Sequence, residues 1–334
     1  MALATIQTAP DGATAEVNGD PTRLVAAELA RVDQRILELV ASDVEPLRSL
    51  AEELVLSGGK RVRPALILLV YRAAGGRDPS DAIDVGAAIE LIHSATLLHD
   101  DILDRAPTRR GHPSALARHG EALTLVAGDF LFSRAFSVAG RFDAQVVSWA
   151  AEACVQLCEG EVLQQRSCRS AAANVATWEQ IAGRKTASLF AQAARIGAHF
   201  AGAPESVVAA MQRLGFEIGI VFQMIDDLLD ITGPESVIGK PLAGDLREGI
   251  PALPVVLGCA TLPAVRTAFL SSSPTAEQID AAIAALHSSE IPTIIRAAAR
   301  ARVAQARADL HQLAQSSYRD ALDELLDRLV GRAS

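Results

Sequence analysis

The sequence predicts an all-α protein, and three observations lead to this fold class. Alanine and leucine dominate the composition, whereas aromatic residues make up only 4% of the 334 residues. Ala and Leu lose little conformational freedom in a helix, so this composition favours helices over sheets. Apolar residues recur at helical spacing through almost the whole chain, and no stretch alternates convincingly with the two-residue period of a strand.

The predicted elements follow in order along the chain. Residues 1–20 are small and polar and contain Pro and Gly, so we expect a disordered lead-in. From Thr22 onward, apolar residues form one amphipathic helical face, made of Leu24, Ala27, Leu29, Val32, Ile36, Leu39 and Val40. Gly and Pro interrupt the pattern at 57–59, 75–76, 202–204 and 232–241. With 50% hydrophobic residues the chain can bury a large core, and we predict one helical domain over 21–334.

Charge and cysteine usage narrow the classes of partner. A formal net charge of −9 argues against a general nucleic-acid binder, although a local basic pocket can still bind a small anion. The four cysteines form no dense framework of the secreted type, and a reduced pair at Cys154 and Cys158 is favoured over a metal site.

Targeting and membrane signals are weak. The N-terminal residues lack the basic start and the apolar core of a signal peptide. The most apolar stretches, 64–71 and 252–265, are shorter than the roughly 18 residues that a spanning helix needs. We therefore expect a cytoplasmic protein without a transmembrane segment.

Two aspartate clusters lie inside strongly hydrophobic segments, where buried carboxylates are unfavourable unless a cation or a donor meets them. The clusters are Asp100, Asp101 and Asp104 in LLHDDILD, and Asp226, Asp227 and Asp230 in FQMIDDLLD. Residues four apart share a helix face, which brings the first and last aspartate of each cluster together. Oxygen-only ligands favour magnesium, and a zinc hydrolase is disfavoured because neither cluster offers a His/Cys set, despite His99.

The order of further motifs resembles the polyprenyl synthetase family, the trans-isoprenyl diphosphate synthases. The matching strings are GGKRVRP at 58–64, ELIHSATLLHDDILD, RRGHPS at 109–114, AGD at 127–129, GRKTASLF at 183–190, the second cluster, and GKPLAGDLREG at 239–249. The resemblance implies an isoprenoid synthase type I fold, a single helical bundle around a deep central cavity, usually as a homodimer. It implies that isopentenyl diphosphate is joined to an allylic diphosphate with the help of Mg²⁺.

The resemblance also implies a role for each matching residue. The six aspartates and Lys185 would be catalytic, with Asp100, Asp104, Asp226 and Asp230 as metal ligands. Isopentenyl diphosphate would bind to Lys60, Arg63, His93 and Arg110. The allylic diphosphate would bind to Arg109, Lys185, Thr186, Gln223 and Lys240, because Arg and Lys complement phosphate oxygens.

One segment departs from the family pattern. The family often has a lysine and a threonine where this chain has Ile250 and Ala252 in GIPALP. One contact to the allylic diphosphate is therefore missing, or Arg247 supplies it.

Product length is the finer expectation. In the family, residues before the first cluster line the tunnel for the growing chain, and here these are the small Ala95 and Thr96. We expect products longer than farnesyl, with geranylgeranyl as the alternative. Phe132 or Phe136 would close the tunnel, although both are also ordinary core candidates.

Three other classes of protein compete with this interpretation. A class I terpene cyclase is disfavoured by the second DDxxD motif and by the lysine of GGKR. A non-catalytic partner subunit would commonly have lost aspartates or basic residues, and this chain retains nearly all of them. A generic helical scaffold would leave the ordered motifs unexplained.

Overall fold

The computed structural model describes residues 20–56, 59–109, 111–233 and 242–331. Within them the chain is helical, which confirms the predicted fold class. The helices are α1 Ala26–Val40, α2 Leu47–Leu56, α3 Val62–Ala73, α4 Ser80–Leu103, α5 Ala115–His119, α6 Glu121–Ala139, α7 Ala144–Ser167, α8 Val175–Ala182, α9 Ser188–Phe200, α10 Glu205–Thr232, α11 Gly244–Glu248, α12 Leu253–Thr261, α13 Pro263–Leu270, α14 Ala276–His287, α15 Ile291–Leu310 and α16 Ser317–Gly331.

Three short elements complete the architecture. A 3₁₀ turn, Pro21–Val25, begins at Asp20, whose carboxylate accepts the backbone N–H of Thr22. The predicted lead-in, 1–19, lies outside the described residues. A π-turn, Gly183–Ala187, connects α8 directly to α9. A hairpin pairs strand β1 (Thr108–Arg109) with β2 (His112–Pro113), which the sequence did not predict because two-residue strands are too short to show a period.

Helix boundaries follow the local sequence signals. Helix α9 ends at Phe200 and α10 begins at Glu205, as the Gly-Ala-Pro break predicts. The Asp143 carboxylate accepts the N–H groups of Gln145 and Val146 and so caps the first turn of α7. The Thr275 hydroxyl and the Gln278 side chain form a reciprocal capping box at the start of α14.

The helices share one hydrophobic core, whose centre is formed by α3, α4, α9 and α10. Helix α10 packs along α9 and α15, and α4 packs along α6 and α3. The single domain over 21–334 stays a prediction. The shared core places the two aspartate clusters on long core helices, the first at the C-terminal end of α4 and the second near the end of α10.

Two helices, α6 and α10, are longer than the apolar stretches found in the sequence, which were too short to span a membrane. By length and composition α6 and α10 could each cross a membrane, because charged residues and glycines interrupt their apolar runs without ending the helices. In α10, 61% of the most apolar window is buried inside the protein, which fits a core helix. In α6 only 39% is buried, so this helix presents apolar residues on the surface.

Candidate active site

The first aspartate cluster divides between the cleft and the interior. Asp100 is half-buried on α4, and Asp104 is exposed at the end of the helix. Asp101 is only 2% exposed, and the Arg109 guanidinium donates to its carboxylate with Nε 2.5 Å from Oδ1. Because adjacent residues point about 100° apart on a helix, Asp101 turns inward while Asp100 and Asp104 share the outer face.

The charge at Asp100 is held in an unfavourable environment. Burial raises its pKa to about 6, and Lys185 opposes this shift while Glu161 and Asp104 add to it. Burial likewise raises the pKa of Asp104. The protein therefore does not fully compensate the negative charge of these two carboxylates, which lie one helical turn apart. A bound cation would stabilise that charge.

Lys185 supplies the nearest positive charge. Its Nζ lies 3.8 Å from Asp100 Oδ1, forms an ion pair with Glu161, and donates to Gln164 Oε1 at 3.4 Å. Burial opposes the charged form of Lys185, but Asp100 and Glu161 outweigh burial, so its pKa is raised. The ammonium group is therefore charged and held at the edge of the first cluster.

The second cluster is anchored through its middle member. Asp227 is 4% exposed, and its carboxylate accepts three hydrogen bonds, from Trp178 Nε1 at 2.7 Å, Gln223 Nε2 at 2.7 Å and the Leu253 N–H at 2.8 Å. Burial raises its pKa to about 6 against these donors. The carboxylate therefore connects α8, α10 and the start of α12.

The outer members of the second cluster differ in exposure. Asp226 is exposed, whereas Asp230 is 4% exposed and accepts the N–H of Asp245 at 3.1 Å. Their spacing predicted that Asp226 and Asp230 share one face of α10. That face is exposed to solvent at Asp226 and covered by protein at Asp230. The cover is the segment that leads into α11.

The π-turn joins the two clusters into one site. Lys185 reaches Asp100 on α4, and the next residue, Thr186, donates its hydroxyl hydrogen to Gln223 Oε1 at 2.9 Å. Gln223 in turn donates to Asp227. A continuous series of contacts therefore runs from the first cluster through the π-turn to the second.

Of the residues expected to bind isopentenyl diphosphate, Arg63 lies within electrostatic range of Glu90 on α4. The Arg61 guanidinium lies 3.1 Å from Glu90 Oε1, and the charge of Glu90 also acts on Arg63. Burial lowers the pKa of Arg63 to about 10, and its guanidinium stacks 4.5 Å from the centre of the Phe190 ring. In the described part of the chain, Arg63 Nε has no hydrogen-bond partner, which leaves a buried donor for an anionic ligand.

A cavity of about 650 Å³ adjoins these residues. His93 and Arg61 line it, as do Asp101 and Arg109 of the first cluster. Lys60 is exposed just before α3. The cavity therefore connects the isopentenyl side of the predicted site with the aspartates, while Arg110 and Lys240 lie outside the described residues.

The segment that departs from the family pattern supports the second cluster. Ala252 is buried directly before α12, and the following residue, Leu253, donates its N–H to Asp227. Arg247, the suggested replacement for the missing lysine, is exposed and donates to the Leu242 carbonyl at 3.2 Å. This contact connects the Arg247 side chain to the protein backbone rather than to either cluster.

The residues expected to set product length lie where α4 meets α6. Ala95 is fully buried, and Thr96 is 9% exposed with its hydroxyl donating to the His93 carbonyl at 2.7 Å. One turn after Ala95, the His99 ring lies 5.8 Å from the Phe132 ring, centre to centre. Phe136 is half-buried one turn further along α6.

The donor set fits magnesium. Among the described residues no three His, Cys, Asp or Glu side chains converge as a complete metal cage. Magnesium usually needs only one or two carboxylates, because substrate phosphates and water complete its octahedron. Asp100 and Asp104 at the end of α4, and Asp226 on α10, provide oxygen ligands of this kind.

The sequence missed three residues of the site. Glu161 and Gln164 on α7 hold Lys185, and Trp178 on α8 holds Asp227. The available signal was a pair of polar residues three apart in the helical segment CEGEVLQQ, since residues three apart face the same side.

An all-helical core that joins two aspartate clusters through a half-buried lysine is suited to an enzyme that acts on diphosphates. A profile of the family described as polyprenyl synthetase matches residues 44–286. The chain belongs to the polyprenyl synthetase family, and it is a prenyl diphosphate synthase, as the motifs predicted.

Individual relatives agree with this assignment. A short chain isoprenyl diphosphate synthase of Methanothermobacter thermautotrophicus is 40% identical over 231 residues, which cover 67% of this chain and 70% of that protein. A nonaprenyl diphosphate synthase of Mycobacterium tuberculosis is 33% identical over 325 residues, covering 92% and 93%. The crystal structure of a polyprenyl synthase from Caulobacter crescentus CB15, complexed with calcium and isoprenyl diphosphate, superposes with a TM-score of 0.89 at 33% identity, covering 94% and 98%.

Proposed function

We propose that this enzyme condenses isopentenyl diphosphate with an allylic diphosphate, in the presence of Mg²⁺, to give a polyprenyl diphosphate longer than farnesyl. The observation that carries the proposal is the series of contacts joining Asp100, Lys185, Thr186, Gln223 and Asp227. It supports one diphosphate site between the two clusters. The small residues Ala95 and Thr96 support growth beyond farnesyl.

The chemistry follows from charge. The allylic C–O bond breaks, its electron pair leaves with the diphosphate, and the double bond of isopentenyl diphosphate attacks the allylic cation. A proton is then lost to the departed diphosphate. Magnesium, when bound to Asp100, Asp104, Asp226 and Asp230, supplies positive charge toward the leaving group. Lys185 adds a fixed ammonium, and Thr186 adds a hydroxyl beside it.

We assign different roles to the inner aspartates. Asp101 orients Arg109, and Asp227 fixes Gln223 and the start of α12. Both carboxylates are covered by their partners, so we propose that they position other residues. On the isopentenyl side, Lys60, Arg63 and His93 would bind the second diphosphate.

We further propose that the enzyme is a cytoplasmic homodimer. The four cysteines are free, which supports a reducing compartment. Exposed apolar residues on α6 and α7, including Val126 and Val155, support a subunit interface there.

The proposal is tested by supplying the purified protein with Mg²⁺, isopentenyl diphosphate and each of dimethylallyl, geranyl and farnesyl diphosphate, and sizing the products by mass spectrometry. A ladder beyond geranylgeranyl supports the full proposal. A ladder that stops at geranylgeranyl keeps the chemistry and rejects the product length. Consumption of the allylic substrate without isopentenyl diphosphate would indicate a cyclase, and no turnover with any primer would contradict the proposal.

The Asp100→Ala variant tests the site itself. We expect turnover to fall by roughly a hundredfold or more, because charge stabilisation at the leaving group is lost. Asp81→Ala is the matched control, since Asp81 is an exposed aspartate in the first turn of the same helix. Full activity of Asp100→Ala would rule out the assigned role.

A further inference from the structure

Two glycines allow the π-turn to approach its neighbouring helices unusually closely. A Cβ atom on Gly160 of α7 would lie 2.6 Å from the backbone nitrogen of Lys185. A Cβ atom on Gly219 of α10 would lie 2.5 Å from the Cα of Ala187. Both distances are below the 3.0 Å that real Cβ atoms keep, and both neighbours are main-chain or Cα atoms that cannot rotate away.

Each glycine stands beside the side chain that fixes the π-turn on its side. Glu161 follows Gly160 directly and forms the ion pair with Lys185. Gln223 lies one turn after Gly219 on α10 and accepts the hydroxyl hydrogen of Thr186. On the α7 side the backbone contact and the polar contact both act on Lys185. On the α10 side the backbone contact is to Ala187 and the polar contact is to the preceding residue, Thr186.

The π-turn itself explains why this support matters. A π-turn inserts one extra residue into a helix, which is unfavourable in isolation and frequent at functional sites. Here it lies between α8 and α9, and it directs Lys185 toward α4 and Thr186 toward α10. Neighbours that fill the space on both sides hold this geometry in place.

We propose that Gly160, Glu161 and Gly219 are positioning residues, which fix Lys185 and Thr186 at the distance from the aspartate clusters that the allylic diphosphate requires. This inference rests on the proposed function, since it takes the allylic diphosphate to bind between the clusters. A methyl group on either glycine would lie less than 3.0 Å from the π-turn backbone, so the π-turn or the helix that carries the glycine must shift. Displacements near 1 Å can lower a rate by about a hundredfold.

Gly160→Ala and Gly219→Ala should therefore act on one substrate selectively. We expect the dissociation constant of an unreactive allylic thiolodiphosphate, measured by calorimetry with Mg²⁺, to rise about tenfold or more. The KM for isopentenyl diphosphate should stay unchanged, because Arg63 and His93 lie on α3 and α4. Equal weakening of both substrates, or a loss of stability alone, would overturn the inference.

Gly197→Ala is the matched control for packing. A Cβ atom there would lie 2.6 Å from the Ile67 carbonyl oxygen, which is as tight as at Gly160, but the contact is between α9 and α3. We expect its thermal unfolding midpoint to fall, with no selective change in allylic affinity. Selective allylic weakening in this control would show that general loosening explains the effect.

Glu161→Gln keeps the inference testable if the alanine variants do not fold. The substitution preserves shape and removes the charge that holds Lys185. Lys185 can then close on Asp100, so we expect the allylic analogue to bind about tenfold more weakly. Tighter binding would mean that Glu161 only repels the diphosphate, and it would overturn the positioning role.

Lys185→Ala separates this inference from the proposed function. If Lys185→Ala leaves allylic affinity unchanged, the assigned role of Lys185 is wrong and the proposed function must be revised. If Lys185→Ala weakens binding while Gly160→Ala, Gly219→Ala and Glu161→Gln do not, the function stands and the positioning inference is overturned.

Discussion

At the scale of the residue, adjacent aspartates in each cluster have different surroundings. Asp100 reaches the cleft, whereas Asp101 is enclosed by Arg109; Asp226 is exposed, whereas Asp227 is held by three donors. The helix rotates about 100° per residue, so neighbours in sequence cannot share one environment. The DDxxD pattern therefore combines residues that face the substrates with a residue that organises the protein around them.

The strained charge at Asp100 predicts a pH-dependent stability in the metal-free protein. Its pKa is raised from 3.8 to about 6, so the folded protein binds this proton more tightly than the unfolded chain does. Between about pH 4 and pH 6, the free energy of unfolding contributed by this group therefore falls as pH rises. Above that window its full destabilising effect is present.

Asp100→Asn should remove this effect. We expect the metal-free variant to show a flatter stability profile between about pH 4 and pH 6, and a higher unfolding midpoint than the wild type at pH 7, by about a few degrees. Thermal unfolding with a chelator present measures both. Asp280→Asn, an exposed aspartate within α14, should leave the slope unchanged. A lower midpoint for Asp100→Asn at pH 7 would contradict the pKa argument.

The sequence predicted the helix faces of the aspartates but not their partners. Spacing alone placed Asp100 with Asp104, because a helix repeats at about four residues. The enclosure of Asp227 depends on Trp178 and Leu253, which are 49 and 26 residues away. Contacts between residues so far apart in sequence are set by tertiary packing, so a local sequence pattern does not predict them.

At the scale of the element, the sequence predicted the helices and most of their ends but not the π-turn. GRKTASLF has an uninterrupted helical pattern, and one extra residue in a helix leaves no Gly or Pro signal. The backbone of the π-turn lies in the space that Gly160 and Gly219 leave on α7 and α10. These close contacts come from two other elements, so no pattern within GRKTASLF could have revealed them.

The contact between α4 and α6 carries the prediction on product length. The prediction that the Phe132 ring closes the tunnel rests on its position beside His99, which lies one turn after Ala95. We expect Phe132→Ala to lengthen the product by at least one isoprene unit, because the void left by the removed ring is similar in volume to one such unit. Phe136→Ala, one turn further, should lengthen it only together with Phe132→Ala.

Mass spectrometry of the products with one primer measures this effect. Phe142→Ala is the control, because it removes a ring of equal size at another place: the Phe142 ring packs against the Phe200 ring, with 5.1 Å between their centres. Lengthening in the control would indicate a general loosening of the bundle. An unchanged product in both the Phe132 and Phe136 variants would show that neither ring closes the tunnel.

At the scale of the whole molecule, α6 and α7 carry large apolar residues on the protein surface. Leu125 and Val126 on α6 are 47% and 53% exposed, and Val155 and Val162 on α7 are 53% and 58% exposed. The two helices contact each other, and an apolar depression near Cys158 and Leu163 adjoins this surface. Apolar residues gathered on neighbouring helices are typical of a subunit interface.

A single charge on this surface should separate the subunits. We expect the wild type to have the mass of two chains by light scattering, and Val155→Glu to shift it toward one chain, because a buried unpaired carboxylate is unfavourable in an apolar interface. Ile294→Glu is the matched control: Ile294 is 50% exposed on α15, outside the proposed interface, and its substitution should leave the mass unchanged. A monomeric wild type, or a dimer that Val155→Glu does not weaken, would mean that the exposed face of α6 and α7 serves another purpose.

Because α7 also carries Gly160 and Glu161, a dimer built on this helix would connect subunit association with the position of Lys185, and Val155→Glu should then weaken binding of the allylic analogue as well.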